Sequence, residues 1–93
     1  MKLAWTEEAI ADVNRQRSFI GGDNPEAADR IAQAILNAAK ALEALLELGK
    51  VVEGLSVRVL IEGRYRYKLV YEIDAATHTV RILGVFHPRQ SRP

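Results

Sequence analysis

Residues 55–73 read LSVRVLIEGRYRYKLVYEI, and this stretch decides the fold. Leu55, Val57, Val59 and Ile61 alternate with Ser56, Arg58, Leu60 and Glu62, a two-residue period that belongs to β-strand. Gly63-Arg64 supplies a tight turn, after which Tyr67, Leu69, Tyr71 and Ile73 alternate with Arg66, Lys68, Val70 and Glu72. Ala75-Ala76-Thr77-His78 is a second loop, followed by Val80, Ile82, Gly84 and Phe86 alternating with Arg81, Leu83 and Val85. Strands joined by loops this short form an antiparallel meander. Basic residues recur at alternate positions within it: Arg58 between Val57 and Val59, Arg66 and Lys68 around Tyr67, Arg81 between Val80 and Ile82. The expectation is a sheet with one apolar face and one cationic face.

Upstream of Gly49 the period is helical. Lys2 to Trp5 reads as a short strand that joins the sheet. Thr6 is an N-cap, with Glu7 and Glu8 where the helix dipole favours anions. A first helix then runs to about Ile20, with Ala9, Ile10, Val13, Gln16 and Ile20 on one side, and Gly21-Gly22 ends it in the left-handed conformation that glycine tolerates. Asn24 caps a second helix that opens with Pro25 and runs to about Leu46 or Leu48. Its apolar stripe is Ile31, Ala34, Ile35, Ala38, Leu42, Leu45 and Leu46. A connection of about four residues makes the two helices an antiparallel hairpin. The fold class is therefore α+β: an N-terminal strand and an antiparallel helical hairpin packed on a three- to four-stranded antiparallel sheet, as one domain over residues 1–93.

Composition narrows the function. The chain is 48% hydrophobic and 27% charged, which excludes a disordered chain. It has no cysteine, so disulfides and thiolate zinc sites are excluded, and two histidines without a nearby carboxylate pair do not make a metal site. No cofactor is expected. No apolar run approaches the ~20 residues of a membrane span, and the start turns acidic at once, so the expected location is cytoplasmic. The net charge of +1 conceals an asymmetry: residues 1–49 carry five Lys/Arg against eight Asp/Glu, net −3, and residues 50–93 carry eight against four, net +4. A split of this kind suggests different tasks for the halves.

The candidate binding residues are Arg58, Arg66, Lys68 and Arg81 on the sheet, with His87 and Arg89 just beyond the last strand. Clustered cations can hold nucleic-acid phosphates or the carboxylates of a protein partner, and like charges facing one another across strands cost stability. A solvated sheet face is the bland alternative. His87 could transfer protons beside arginines that stabilise developing charge, or hydrogen-bond locally at the strand end. His87, Arg89, Gln90 and Arg92 together form a polar tail segment. Trp5 reads as an anchor between sheet and helices. Phe19, opposite Ile10 and Val13 on the helix, either plugs a gap or marks a partner surface. Tyr65, Tyr67 and Tyr71 could offer stacking surfaces for bases, but Tyr67 and Tyr71 share the register of Leu69 and Ile73 and read as core, while Tyr65 borders the turn.

Several segments in order resemble the ParE branch of the RelE/ParE toxin superfamily. They are Trp5-Thr6-Glu7-Glu8-Ala9, Ala11-Asp12, Asp23-Asn24-Pro25-Glu26-Ala27-Ala28, Gly49-Lys50-Val51-Val52-Glu53-Gly54-Leu55, Tyr67-Lys68-Leu69-Val70-Tyr71-Glu72-Ile73 and Val80-Arg81-Ile82-Leu83-Gly84-Val85-Phe86-His87. The resemblance implies the toxin half of a type II toxin–antitoxin pair, a ParD-like antitoxin as partner, and DNA gyrase as target without chemistry of its own. No membrane partner and no direct sequence-specific nucleic-acid binding are expected. RelE-type relatives instead cut mRNA on the ribosome, and on that reading Lys68, Arg81 and His87, with Glu53 as a base, are the nearest catalytic matches. The tail His87-Pro88-Arg89-Gln90 lacks the terminal tyrosine of many cleaving members. Where many relatives carry a proline-containing turn, this chain reads Leu45-Leu46-Glu47-Leu48-Gly49.

Overall fold

In a computed structural model that describes residues 1–89, the chain forms β1 (Lys2–Trp5), α1 (Glu7–Gly21), α2 (Pro25–Ala41), β2 (Lys50–Val51), β3 (Arg58–Ile61), β4 (Lys68–Asp74) and β5 (Thr79–Phe86). One five-stranded sheet has the order β1-β5-β4-β3-β2. The helical hairpin covers one side of it, so the two-layer α+β reading holds. Gln90 and Arg92 of the anticipated tail segment lie outside the described residues.

The helix starts follow local chemistry. The Thr6 hydroxyl accepts the Ala9 N–H at 3.1 Å and donates to the Ile82 carbonyl at 3.0 Å, so one side chain both opens α1 and ties it to β5. Asn24 caps α2 by accepting the Ala27 N–H at 3.1 Å, with Pro25 in the first turn. Arg17 and Asp29 pair across the two helices at 2.7 Å. The close of α1 differs from expectation. Gly22 keeps a right-handed φ of −60°, and the Ile20 carbonyl takes the N–H groups of Asp23 and Asn24.

The second helix is shorter than its apolar spacing predicts. It stops at Ala41, and residues 42–48 form successive turns. No glycine or proline stops it there. The cause is tertiary: the Tyr71 hydroxyl donates to the Leu46 carbonyl at 2.8 Å, and its oxygen accepts the Gly49 N–H at 2.9 Å. Seven more helical residues would advance about 10 Å along the axis and could not bring both groups to one phenol. The buried face of α2 is accordingly Ala28, Ala32, Ile35 and Ala39, continued by Leu42, and Leu45 is exposed.

The sheet is mixed and has more strands than anticipated. β1 runs parallel to β5, with Leu3 opposite Val80 and Trp5 opposite Ile82, as a distant connection permits and a hairpin would not. The extra strand, β2, is two residues long, too short to show any period. Leu55 and Val57 fall outside β3. A register shift places Val70 opposite Gly84 and Tyr71 opposite Ile82, leaving Leu83 as an extra residue. Beyond that bulge Val85, opposite Leu69, takes the core position that simple alternation assigns to Gly84. The core joins Leu69, Tyr71, Val80, Ile82 and Val85 of the sheet to Ala9, Val13, Ala32, Ile35, Ala39 and Leu42, and half-buried Trp5 packs against it as expected.

Candidate partner-binding site

The register separates the anticipated cationic stripe into three environments. Residues paired across strands share a face. Lys68 lies opposite Phe86 and Arg81 opposite Glu72, so both project from the side of the sheet away from the helices. Arg58 lies opposite Tyr71, a core residue, and therefore belongs to the other side. Its guanidinium donates to the Gly49 carbonyl at 2.9 Å and bridges β3 to the segment entering β2. Arg66 precedes β4, in a turn, with a φ of 69°. The expectation of one cationic face is thus corrected: along β4 the outward positions are Lys68, Val70, Glu72 and Asp74, where carboxylates outnumber cations.

Arg81 is engaged within the sheet. Its Nη1 meets Glu72 Oε2 at 2.6 Å and its Nη2 meets Asp74 Oδ2 at 3.5 Å. The hydrogen bond it donates to Glu72 is the main influence raising the Arg81 pKa further. Glu53 sits in the loop between β2 and β3, which leads into Arg58, whereas Lys68 and His87 lie at the other end of those strands, beside the β3–β4 turn. The four residues of the mRNA-cutting alternative, Glu53, Lys68, Arg81 and His87, are therefore not gathered into one site. Among the described residues no group of His, Cys, Asp and Glu could hold a metal ion.

His87 and Arg89 converge with residues of α1. The Tyr67 and His87 rings meet edge-on, with centroids 5.5 Å apart. The Tyr67 hydroxyl donates to Gln16 Oε1 at 3.3 Å, and burial raises the phenol's pKa, which keeps it neutral. His87 Nδ1 accepts the Arg89 N–H at 3.1 Å, which places the proton of a neutral imidazole on Nε2. The helix is held against this strand end by Asp12, whose Oδ2 accepts the Val85 N–H at 2.9 Å where β5 extends past β1. Asp12 also pairs with Arg15.

Between these elements lies a groove of about 540 Å³ lined by Arg15, Gln16, Phe19, His87 and Arg89. Phe19 is 83% exposed, so it plugs no gap. The groove offers an apolar ring between two guanidinium groups and an imidazole. That combination suits an apolar side chain flanked by carboxylates. Sequence reading marked His87 and Arg89 and left Phe19 open, but it missed Arg15 and Gln16. The available signal was helical spacing: residues 15, 16 and 19 fall on one side of α1.

Comparison with known proteins agrees with this architecture. The family described as ParE toxin of type II toxin-antitoxin system, parDE, matches residues 3–92. Toxin RelE2 of Caulobacter vibrioides is 31% identical over 81 residues, spanning 87% of this chain and 91% of that protein. A structure of a chromosomal ParDE system from P. aeruginosa superposes with a TM-score of 0.82 at 26% identity, covering 94% of this chain and 95% of the other. The RelBE2 toxin–antitoxin complex of Mycobacterium tuberculosis gives 0.67 at 28% identity, covering 92% and 95%. The E. coli RelBE complex, at 14% identity and 0.60 over 96% and 98%, shares the fold.

Proposed function

This chain belongs to the ParE toxin family of type II toxin–antitoxin systems, and from that premise we propose that it acts by binding DNA gyrase and is neutralised by a ParD-like antitoxin. The antitoxin would place an acidic-apolar segment in the groove of Arg15, Gln16, Phe19, His87 and Arg89. Lys68, near the same strand end, extends its positive rim. Arg58 and Arg81 hold the sheet together and are not contact residues on this reading. Complementary charge speeds encounter, and the apolar contact to Phe19 slows release.

The observation that carries the non-enzymatic reading is the separation of Glu53, in the β2–β3 loop, from Lys68 and His87 at the other end of the strands, with Arg81 held by two carboxylates. A general base must come within hydrogen-bond reach of the proton it takes. The likeness to RelE2 and to the RelBE2 complex supports a second reading, ribosome-dependent mRNA cleavage. Induced expression with two readouts separates them. Gyrase-trapped DNA breaks with intact mRNA are the expected result; codon-linked mRNA cuts without trapped breaks would overturn it. The site of action for either target is the cytoplasm, and no described helix is long and apolar enough to cross a membrane.

A further inference from the structure

We propose that the tip of the β3–β4 hairpin is a second docking element, in which Arg64 and Arg66 grip carboxylates on an acidic segment of the same antitoxin. This rests on the reading above. Four observations carry it. First, Arg66 has a φ of 69°, in the left-handed region where an L side chain other than Asn or Asp is strained. Gly63, in the same turn, does not occupy that conformation. Strain of this kind persists where the surroundings impose it, and it concentrates at ligand contacts.

Second, the surroundings here are one carboxylate. Glu62 is only 7% exposed. Its Oε2 accepts the Arg64 N–H at 2.8 Å, and its Oε1 accepts the N–H groups of Tyr65 at 2.6 Å and Arg66 at 3.2 Å. The main chain of the strand ends closes the loop, with Glu62 N–H on the Tyr67 carbonyl at 2.8 Å and Arg66 N–H on the Glu62 carbonyl at 3.0 Å. The carboxylate satisfies backbone and leaves the side-chain cations outward. Third, among the described residues no carboxylate pairs with the guanidinium of Arg64 or Arg66, and both residues are exposed. Arg64 stacks over the Tyr65 ring at 5.3 Å, which orients its planar fork while leaving the N–H edges available. Fourth, the tip lies at the same strand end as the groove, because Arg66 adjoins Tyr67, whose ring forms an edge contact with His87 of the groove wall.

Two guanidinium groups on one narrow hairpin suit paired carboxylates better than a nucleic-acid backbone, whose binding commonly uses about six to ten phosphate contacts. The test uses the full chain and the purified antitoxin encoded beside its gene, with a fluorescein-labelled single-stranded oligonucleotide as second probe. Arg66→Gly relieves the left-handed strain, so its melting temperature should rise by about 2–4 °C even after glycine's larger unfolded-state entropy. Its affinity for the antitoxin should fall about tenfold at low salt, and less at high salt. Arg66→Lys should keep the wild-type melting temperature and most of the affinity. A melting temperature that does not rise, or antitoxin affinity of Arg66→Gly within twofold of wild type, overturns the proposal while leaving the groove reading intact. Oligonucleotide binding that depends on Arg66 while antitoxin binding does not would reassign the tip to phosphates. Wild-type chain that fails to bind the antitoxin at all sinks the functional reading itself.

Discussion

The Tyr71 hydroxyl closes the most demanding local arrangement in the molecule. It donates to the Leu46 carbonyl and accepts the Gly49 N–H, both under 3 Å, in a place where the tyrosine is fully buried. Gly49 can approach so closely only because it has no side chain: a Cβ there would lie 2.7 Å from Tyr71 Cε1 and 2.8 Å from the Val59 carbonyl. Tyr71→Phe removes one acceptor and one donor together and leaves two backbone groups unsatisfied, so it should cost about 1–3 kcal/mol. Denaturant unfolding should show a lower midpoint with an unchanged slope. The register of Tyr71 with Leu69 identified it as core from sequence alone. Its partners could not be read, because they lie 22 and 25 residues upstream and are brought to the phenol only by the packed fold.

The element that best illustrates pH sensitivity is the β4–β5 hairpin. Asp74 Oδ1 accepts the N–H groups of Ala76 and Thr77 at 3.1 and 3.3 Å, while Oδ2 faces Arg81. Hydrogen bonding from Thr77, with a further contribution from Arg81, holds its carboxyl below the usual carboxylate range. A folded-state pKa below the unfolded value means stability that is present above the unfolded pKa, about 4, and is lost as pH falls through the folded one. Asp74→Asn should therefore be less stable than wild type at pH 7. The two proteins should converge in stability as pH falls below the depressed folded-state pKa, in melting curves taken at decreasing pH.

Other elements show where sequence reading reaches its limit. Capping by Thr6 and Asn24, the hairpin of helices and the meander are all local chemistry and were legible. The end of α2 was not, since Leu42, Leu45 and Leu46 continue the helical spacing past the residue where tertiary hydrogen bonds stop the helix. The bulge at Leu83 was also hidden, and one extra residue reverses the faces assigned to everything after it.

At the scale of the whole molecule, the cations of the proposed contact surface lie at one end of the sheet and not over a face. Alternation along single strands suggested a face. Cross-strand register moved Arg58 to the helix side and supplied Arg81 with Glu72 and Asp74. The groove adds Arg15 from the net-acidic half of the chain, so the division of charge by sequence halves was a poor guide to the site, although the basic half contributes His87 and Arg89. The family resemblance was readable because its segments occur in order along the chain. The groove was not, because it requires α1 to be docked against the end of β5 through Asp12. Binding kinetics of the purified chain with its antitoxin, measured for wild type, Phe19→Asp and Arg89→Glu, test this site directly. Neither substitution reaches the core, so both variants should melt near wild type. Phe19→Asp should weaken binding about 30-fold or more through faster release, and Arg89→Glu should slow association at low salt. Folded variants that bind and release the antitoxin at wild-type rates would contradict the assignment of this groove.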